Sequence, residues 1–192
     1  MKSLALVLAL IVALGATSVA KADKYDDKAT LMKVEGTSTL HDWDCPVNSV
    51  KAKGDLTINN GELQSVNAMW VQADVKSIKS EKGEDMEEKI YDALKAEENP
   101  KITFSMISMK SIKKQGSEYL VETDGNMTIA GATKKIDLLV KGAIQPNGDV
   151  IFTGSTKIIM TQYGMERPSA MLGMIKCGDA IVVSFTLTLK KS

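Results

Sequence analysis

From Thr30 onward apolar and polar positions alternate with period two, the spacing that puts successive side chains on opposite faces of a β-strand. Met32, Val34, Gly36, Ser38 and Leu40 share one parity, and Lys33, Glu35, Thr37, Thr39 and His41 the other. Asp23 to Ala29, mostly polar and charged, is expected to be a short leader into this strand, and Pro46 to end it. The next segment is cleaner: Val50, Ala52, Gly54, Leu56 and Ile58 oppose Ser49, Lys51, Lys53, Asp55 and Thr57, predicting one dry face and one wet face. Asn59-Asn60-Gly61 then predicts a hairpin turn. Leu63 to Ile78 is extended, with apolar residues on both parities, so its pattern does not orient it.

Glu81 to Glu98 changes the period. Met86, Ile90 and Leu94 recur every four residues with Tyr91 and Ala93 beside them, and charged residues fill the gaps, which predicts an amphipathic helix packed on the body of the protein. Asn99-Pro100 stops it, because the residue before proline is pushed out of helical dihedrals. Alternation then resumes at Ile102, Phe104 and Met106, and shifts phase to Ile107 and Met109 as a bulge would require. Tyr119 to Ile129, Ile136 to Val140, Val150 to Tyr163 and Ile181 to Leu189 come next, separated by turn residues at Gly116-Ser117, Ala130-Gly131-Ala132 and Pro146-Asn147-Gly148-Asp149. Eight extended segments with one helix between the third and fourth predict an all-β fold, an eight-stranded up-and-down antiparallel barrel, since closure removes free strand edges. A two-sheet sandwich is the alternative architecture.

Lys2, the apolar run Leu4 to Leu14 and Ala20-Lys21-Ala22 have the form of a secretory signal peptide over residues 1–22, cleaved before Asp23. The run is short of the roughly 20 apolar residues that span a bilayer, and no cysteine stands directly after it to accept a lipid. An exported chain of one domain, residues 23–192, without stable membrane insertion is expected. With Lys2 and Lys21 removed, 22 basic residues face 24 acidic ones, a net charge of −2 with His41 neutral. Such balance gives no electrostatic case for nucleic acid. Arg167 is the single arginine, so two-pronged recognition of anions is confined to one place.

The stretch Gly36-Thr37-Ser38-Thr39-Leu40-His41-Asp42-Trp43 holds the only histidine, next to a carboxylate and an indole. Neighbours on a strand point to opposite faces, so His41 and Asp42 do not hold one another, and nothing else completes a nucleophilic centre. One histidine and two distant cysteines, Cys45 and Cys177, argue against a metal site, and no glycine-rich phosphate cradle is present, so neither metal nor cofactor is expected. Asn126-Met127-Thr128 has the form of a glycosylation acceptor, a pattern that also arises by chance. Methionine stands out. Ten come after the initiator, with Met69, Met106, Met160 and Met165 among those in extended segments, and such side chains suit either ordinary core packing or a deformable apolar cavity.

Four motifs together resemble the YceI-like family: GTSTLHDW at 36–43, NPKITF at 99–104, MTIAGATKKIDLLV at 127–140 and YGMERPSAMLGMIKCGDAIVVSFTL at 163–187. The resemblance covers essentially residues 23–192 and implies a lipocalin-like barrel, periplasmic or secreted, that binds an isoprenoid-type lipid such as a quinone or polyprenyl chain in an elongated apolar cavity. The chain departs from the family's N-terminal pattern, in which a histidine precedes Leu-Gly, and it has Cys177 where an apolar residue is common. On the barrel that the resemblance implies, the lining is expected from Trp70, Phe104, Met106, Leu138, Val140, Phe152, Ile158, Met160, Val183 and Phe185, with Trp43, Tyr163 and Met165 near the mouth and His41 as a candidate headgroup contact. Pairing of the first and last strands would bring Cys45 and Cys177 to one end, and a disulfide between them is expected on that ground. Two other functions stay open: a small hydrolase-like enzyme using His41, and an interaction module around Tyr163 to Met174. Oligomeric state is open too, a dimer included.

Overall fold

The computed structural model describes residues 21–192, except the side chains of Ala170 and Met171. The apolar run of the expected signal peptide lies outside the described residues. Ten strands form one antiparallel sheet: β1 (Asp23–Ser38), β2 (Trp43–Pro46), β3 (Val50–Asn59), β4 (Glu62–Asp74), β5 (Lys101–Gln115), β6 (Glu118–Ile129), β7 (Ala132–Ile144), β8 (Val150–Ile159), β9 (Ser169–Ala170) and β10 (Ile175–Lys191). Eight of them are long. They run in order β1-β3-β4-β5-β6-β7-β8-β10, and β10 pairs back to β1 from Tyr25↔Lys191 to Ser38↔Cys177, which closes the barrel.

Strand β1 differs from its expected form at both ends. Asp23 to Ala29 is not a leader but the start of the strand, pairing with Leu56 to Lys53 of β3 as well as with the end of β10. Its other end stops at Ser38, and the chain turns back so that Trp43 to Pro46 pair with Gly36 to Lys33. The turn is held by Ser38, whose Oγ accepts from the Leu40 and His41 amides at 3.2 Å and donates to the His41 carbonyl at 2.8 Å. Gly36 is required here, because a β-carbon would lie 2.3 Å from the Trp43 indole that covers it.

The turns behave as their residues predict. Asn60 and Gly61 (φ 51° and 75°) and Ala130 and Gly131 (φ 49° and 80°) have both central residues in the left-handed region, the two-residue turn whose twist matches the flanking strands. Helix α1 (Glu84–Ala93) is shorter than the expected 81–98. Glu84, Asp85 and Glu87 in its first turn face the positive helix end, while Lys95 in the left-handed region (φ 53°) ends the regular spiral. Strand β8 likewise stops at Ile159 rather than Tyr163: Met160–Tyr163 is a 3-10 turn, and Asp179 accepts from the Thr161 amide and hydroxyl at 2.9 and 2.6 Å.

The two halves of the barrel are packed differently. The half holding the N-terminal ends of β1 and β4 is filled by Tyr25, Leu56, Leu63, Val66, Tyr119, Val121, Val150, Phe152, Leu187 and Leu189. At the other half Val47, Val75, Ile78, Leu94, Met160, Tyr163 and Met165 form a second cluster that joins α1 to the wall. The helix is tied there by Glu87, which pairs with Lys79 at 2.7 Å and accepts from the Ser80 amide at 3.2 Å, and by the Tyr91 hydroxyl within 2.9 Å of the Ile78 carbonyl.

On the outer face Asp124 is buried between strands, with Lys135 at 2.5 Å and the Ser108 hydroxyl donating at 2.6 Å. The Lys135 ammonium, with help from Ser108, holds its carboxyl down to about 2. A carboxyl whose folded pKa is depressed contributes stability above its unfolded value, near ~3.9, and that contribution is lost as pH falls toward the folded value. Acid titration of unfolding is therefore expected to show stability falling between about pH 4 and pH 2, with a smaller loss in Asp124→Asn. In the filled half, Leu56→Ala should cost about 2–5 kcal/mol in urea unfolding. Leu31→Ser, on the solvent face, should stay within about 0.5 kcal/mol of the parent.

Candidate functional site

Between the filled floor and α1 lies a cavity of about 410 Å³, inside the range of about 300–1,000 Å³ usual for small-molecule sites. Its walls arise from strand alternation. Phe104 and Met106 of β5, Leu138 and Val140 of β7, Phe152 and Ile158 of β8, and Val183 and Phe185 of β10 all face it. Trp43 of β2, buried Met160 and Met165 of the segment after β8, and exposed His41 of the β1–β2 turn border it too. Gly125 makes room for the wall: a β-carbon there would come 2.4 Å from the Phe104 ring.

Two expected lining residues lie elsewhere. Trp70 is on the outer face of β4, opposite Lys53 and Ser105, while Val66, Met69, Val71 and Ala73 point inward. The cause is a bulge: Leu56 pairs with Val66 and Asp55 with Ala68, so Asn67 is an extra residue and reverses the parity of β4 from Ala68 onward. Tyr163 is not at the mouth. It is buried in the cluster behind the lining, where its hydroxyl has no hydrogen-bond partner among the described residues, and burial pushes its pKa up.

The lining also extends beyond the residues expected from sequence. Met86, Ile90 and Leu94 of α1 face the cavity, so the helix stripe that packs on the body is also the roof. Met32, Val34, Met69, Ile102, Met127 and Ile181 line it as well, and their inward parity in an apolar run was the available signal. Seven methionines among the described residues border the space. The expected phase shift in β5 is present, between Met106 and Ser108, but it turns Ile107 out to solvent and keeps Met109 inside.

The chemistry of the site is that of hydrocarbon and sulfur. Among the described residues that line it there is no carboxylate, and its two ionisable nitrogen groups, His41 and Lys82, belong to exposed residues. His41 Nδ1–H donates to the Asp42 backbone carbonyl at 2.8 Å, so the pair forms a turn contact rather than an imidazole–carboxylate couple. The indole N–H of Trp43 donates to the Thr37 carbonyl at 3.0 Å and fixes the ring across the rim. No three His, Cys, Asp or Glu side chains gather as a metal site among the described residues.

Cys45 and Cys177 are both free thiols bordering this cavity, contrary to the expected disulfide. They share one end of the barrel, but β1 runs between them: Cys45 pairs with Val34, and Cys177 with Ser38 four positions further on. Two strand spacings of about 4.8 Å already exceed the ~7 Å between α-carbons that a disulfide tolerates. Burial, with Asp44 second, pushes the Cys45 thiol up to about 11, and burial raises Cys177 too. Both are therefore protonated at neutral pH and act as small apolar groups.

A family model described as the YceI-like domain matches residues 33–189. The chain belongs to the YceI-like family. None of the curated proteins matches it. Among solved structures, this YceI-like chain is similar to BcnA of Burkholderia cenocepacia (TM-score 0.63, 16% identity, 83% of this chain and 95% of that one). It is also similar to a polyisoprenoid binding domain from Saccharophagus degradans, implicated in plant cell wall breakdown (TM-score 0.67, 12% identity, 90% and 100% covered). A third is the YCEI protein of Campylobacter jejuni (TM-score 0.54, 18% identity, both chains covered fully). At these identities the likeness is one of fold: the closed antiparallel barrel with its single helix.

Alkylation with mass measurement of unreduced protein should find two modifiable thiols after denaturation, and a mass two hydrogens lower with neither modified would contradict the placement of β1 between the two cysteines. In the folded protein, half-buried Cys177 should react faster than buried Cys45.

Proposed function

We propose that this chain is an exported protein that sequesters or carries the hydrocarbon of an isoprenoid-type lipid in its barrel cavity. The observation that carries this reading is a cavity of about 410 Å³ inside a closed barrel, bordered almost throughout by apolar side chains. Protein interiors close such space when they can, so a retained void bordered by seven methionines favours an apolar occupant of adaptable shape. Each methylene moved from water into it is worth about 0.8 kcal/mol. The neighbour from Saccharophagus degradans is described as polyisoprenoid binding, which supports the same ligand class here. Export is supported by the signal-like N-terminus and by β1, which starts at Asp23, the residue that cleavage after Ala22 would expose.

His41 takes the headgroup in this reading. With Nδ1–H donated to the Asp42 carbonyl, Nε2 is the ring nitrogen left to meet a headgroup hydroxyl. The hydrocarbon then lies along the Met, Phe and Val walls below it.

Solvent extraction of protein purified from its producing cells, with mass spectrometry of the extract, should recover an isoprenoid-type lipid. Ala73→Phe, which grows into the cavity from β4, should weaken uptake of a farnesyl-type alcohol by about tenfold or more, the cost of displacing two methylenes. His41→Ala should weaken the alcohol by about 0.5–1.5 kcal/mol, one hydrogen bond, and leave the parent hydrocarbon unchanged. An empty extract together with no uptake of the probe by the parent protein would overturn the carrier reading.

A further inference from the structure

The rim carries large apolar side chains that the folded core leaves exposed. Leu172 is fully exposed, Met174 is 71% exposed and Leu40 is 67% exposed. They come from two segments that the fold ties together at the rim. The Thr39 amide donates to the Lys176 carbonyl at 3.1 Å, the Thr39 hydroxyl donates to the Met174 carbonyl at 3.2 Å, and the Lys176 amide donates back to Thr39 Oγ1 at 3.3 Å. Leu172 also stands in the left-handed backbone region (φ 54°, ψ 34°), with Gly173 next to it at φ 86°. Glycine or asparagine is the usual solution there, and a leucine both strained and solvated contributes nothing to folding.

We propose that this rim is a docking surface for the apolar layer of a zwitterionic lipid bilayer, from which the cavity loads or into which it empties. The inference rests on the carrier reading. Leu40, Pro168 and Ile175 line the cavity, so apolar surface continues from the wall through the rim to the outward tips of Leu172 and Met174. A bilayer covers those tips and exchanges cargo through the same opening. A second copy seated on the rim would cover the tips and obstruct the opening. The two segments carry no basic excess, with Arg167 and Lys176 against Asp42, Asp44, Glu166 and Asp179, so attachment depends on apolar insertion and not on anionic lipid.

The test is flotation with phosphatidylcholine vesicles of protein purified from its producing cells, with its N-terminus determined. Parent protein should float with the vesicles at low and at high salt. Leu172→Ser combined with Met174→Ser should reduce the bound fraction about tenfold or more, while uptake of a dispersed farnesyl-type probe, which needs only the cavity, stays unchanged. Parent protein that does not float, a double variant that floats equally well, or binding that high salt abolishes would overturn the docking surface. So would a parent dimer that the double variant converts to monomer. Absence of probe uptake with flotation intact would overturn the carrier reading and leave the docking surface standing, so the two can fail separately.

Discussion

The pairing of β1 with β10 is the contact on which the rest of the molecule depends. These strands lie at opposite ends of the chain, and joining them gives each of the eight long strands two neighbours and leaves a single inside. A sheet of this length left open would present two unpaired edges and no enclosed volume. Strand β1 bears an unusual share of that work, since it pairs with β10 over nearly its whole length, with β3 at its start and with β2 at its end.

Closure fixes the diameter, and the side chains then decide how much of the interior is filled. Leucine, tyrosine and phenylalanine meet across one half and exclude space. In the other half the inward positions include methionine, valine and alanine, with α1 laid over the end in place of further barrel. The helix is anchored through polar contacts at its flank, by Glu87 and Tyr91, which leaves its apolar stripe to border the cavity. The result is a hollow with apolar walls whose two ionisable nitrogen groups, His41 and Lys82, belong to exposed residues, an arrangement suited to holding hydrocarbon.

The rim is where local rules are broken. Trp43 covers a glycine, Ser38 commits its side chain to the turn and Thr39 its own to Met174 and Lys176, and Leu172 holds a backbone conformation that leucine avoids. Gly125 beneath the Phe104 ring and Asn60 and Ala130 at positive φ are comparable devices elsewhere, but those serve the wall and two-residue turns, whereas Leu172 serves neither.

Much of this was legible in the amino-acid sequence because strand alternation, helical spacing and turn chemistry are local. Met32 and Val34 on one parity, the Met86-Ile90-Leu94 stripe, and the Asn60-Gly61 and Ala130-Gly131 turns identify the elements and most inward faces without knowledge of any partner, although the alternation continues past the strand's end at Ser38 to Leu40. The family's four motifs point to the same barrel. What sequence could not settle was register. Asn67 reverses the parity of β4 and turns Trp70 outward only because Leu56 and Asp55 of β3 pair around it. Cys45 and Cys177 are kept apart because Trp43 to Pro46 fold back beside β1 instead of extending it. The stretch from Gly36 to Trp43 is thus a strand end, a turn and a returning strand. The chain by itself determines which residues prefer to be inside; only the closed sheet decides which of them meet, because pairing between distant strands sets where each bulge and turn must fall.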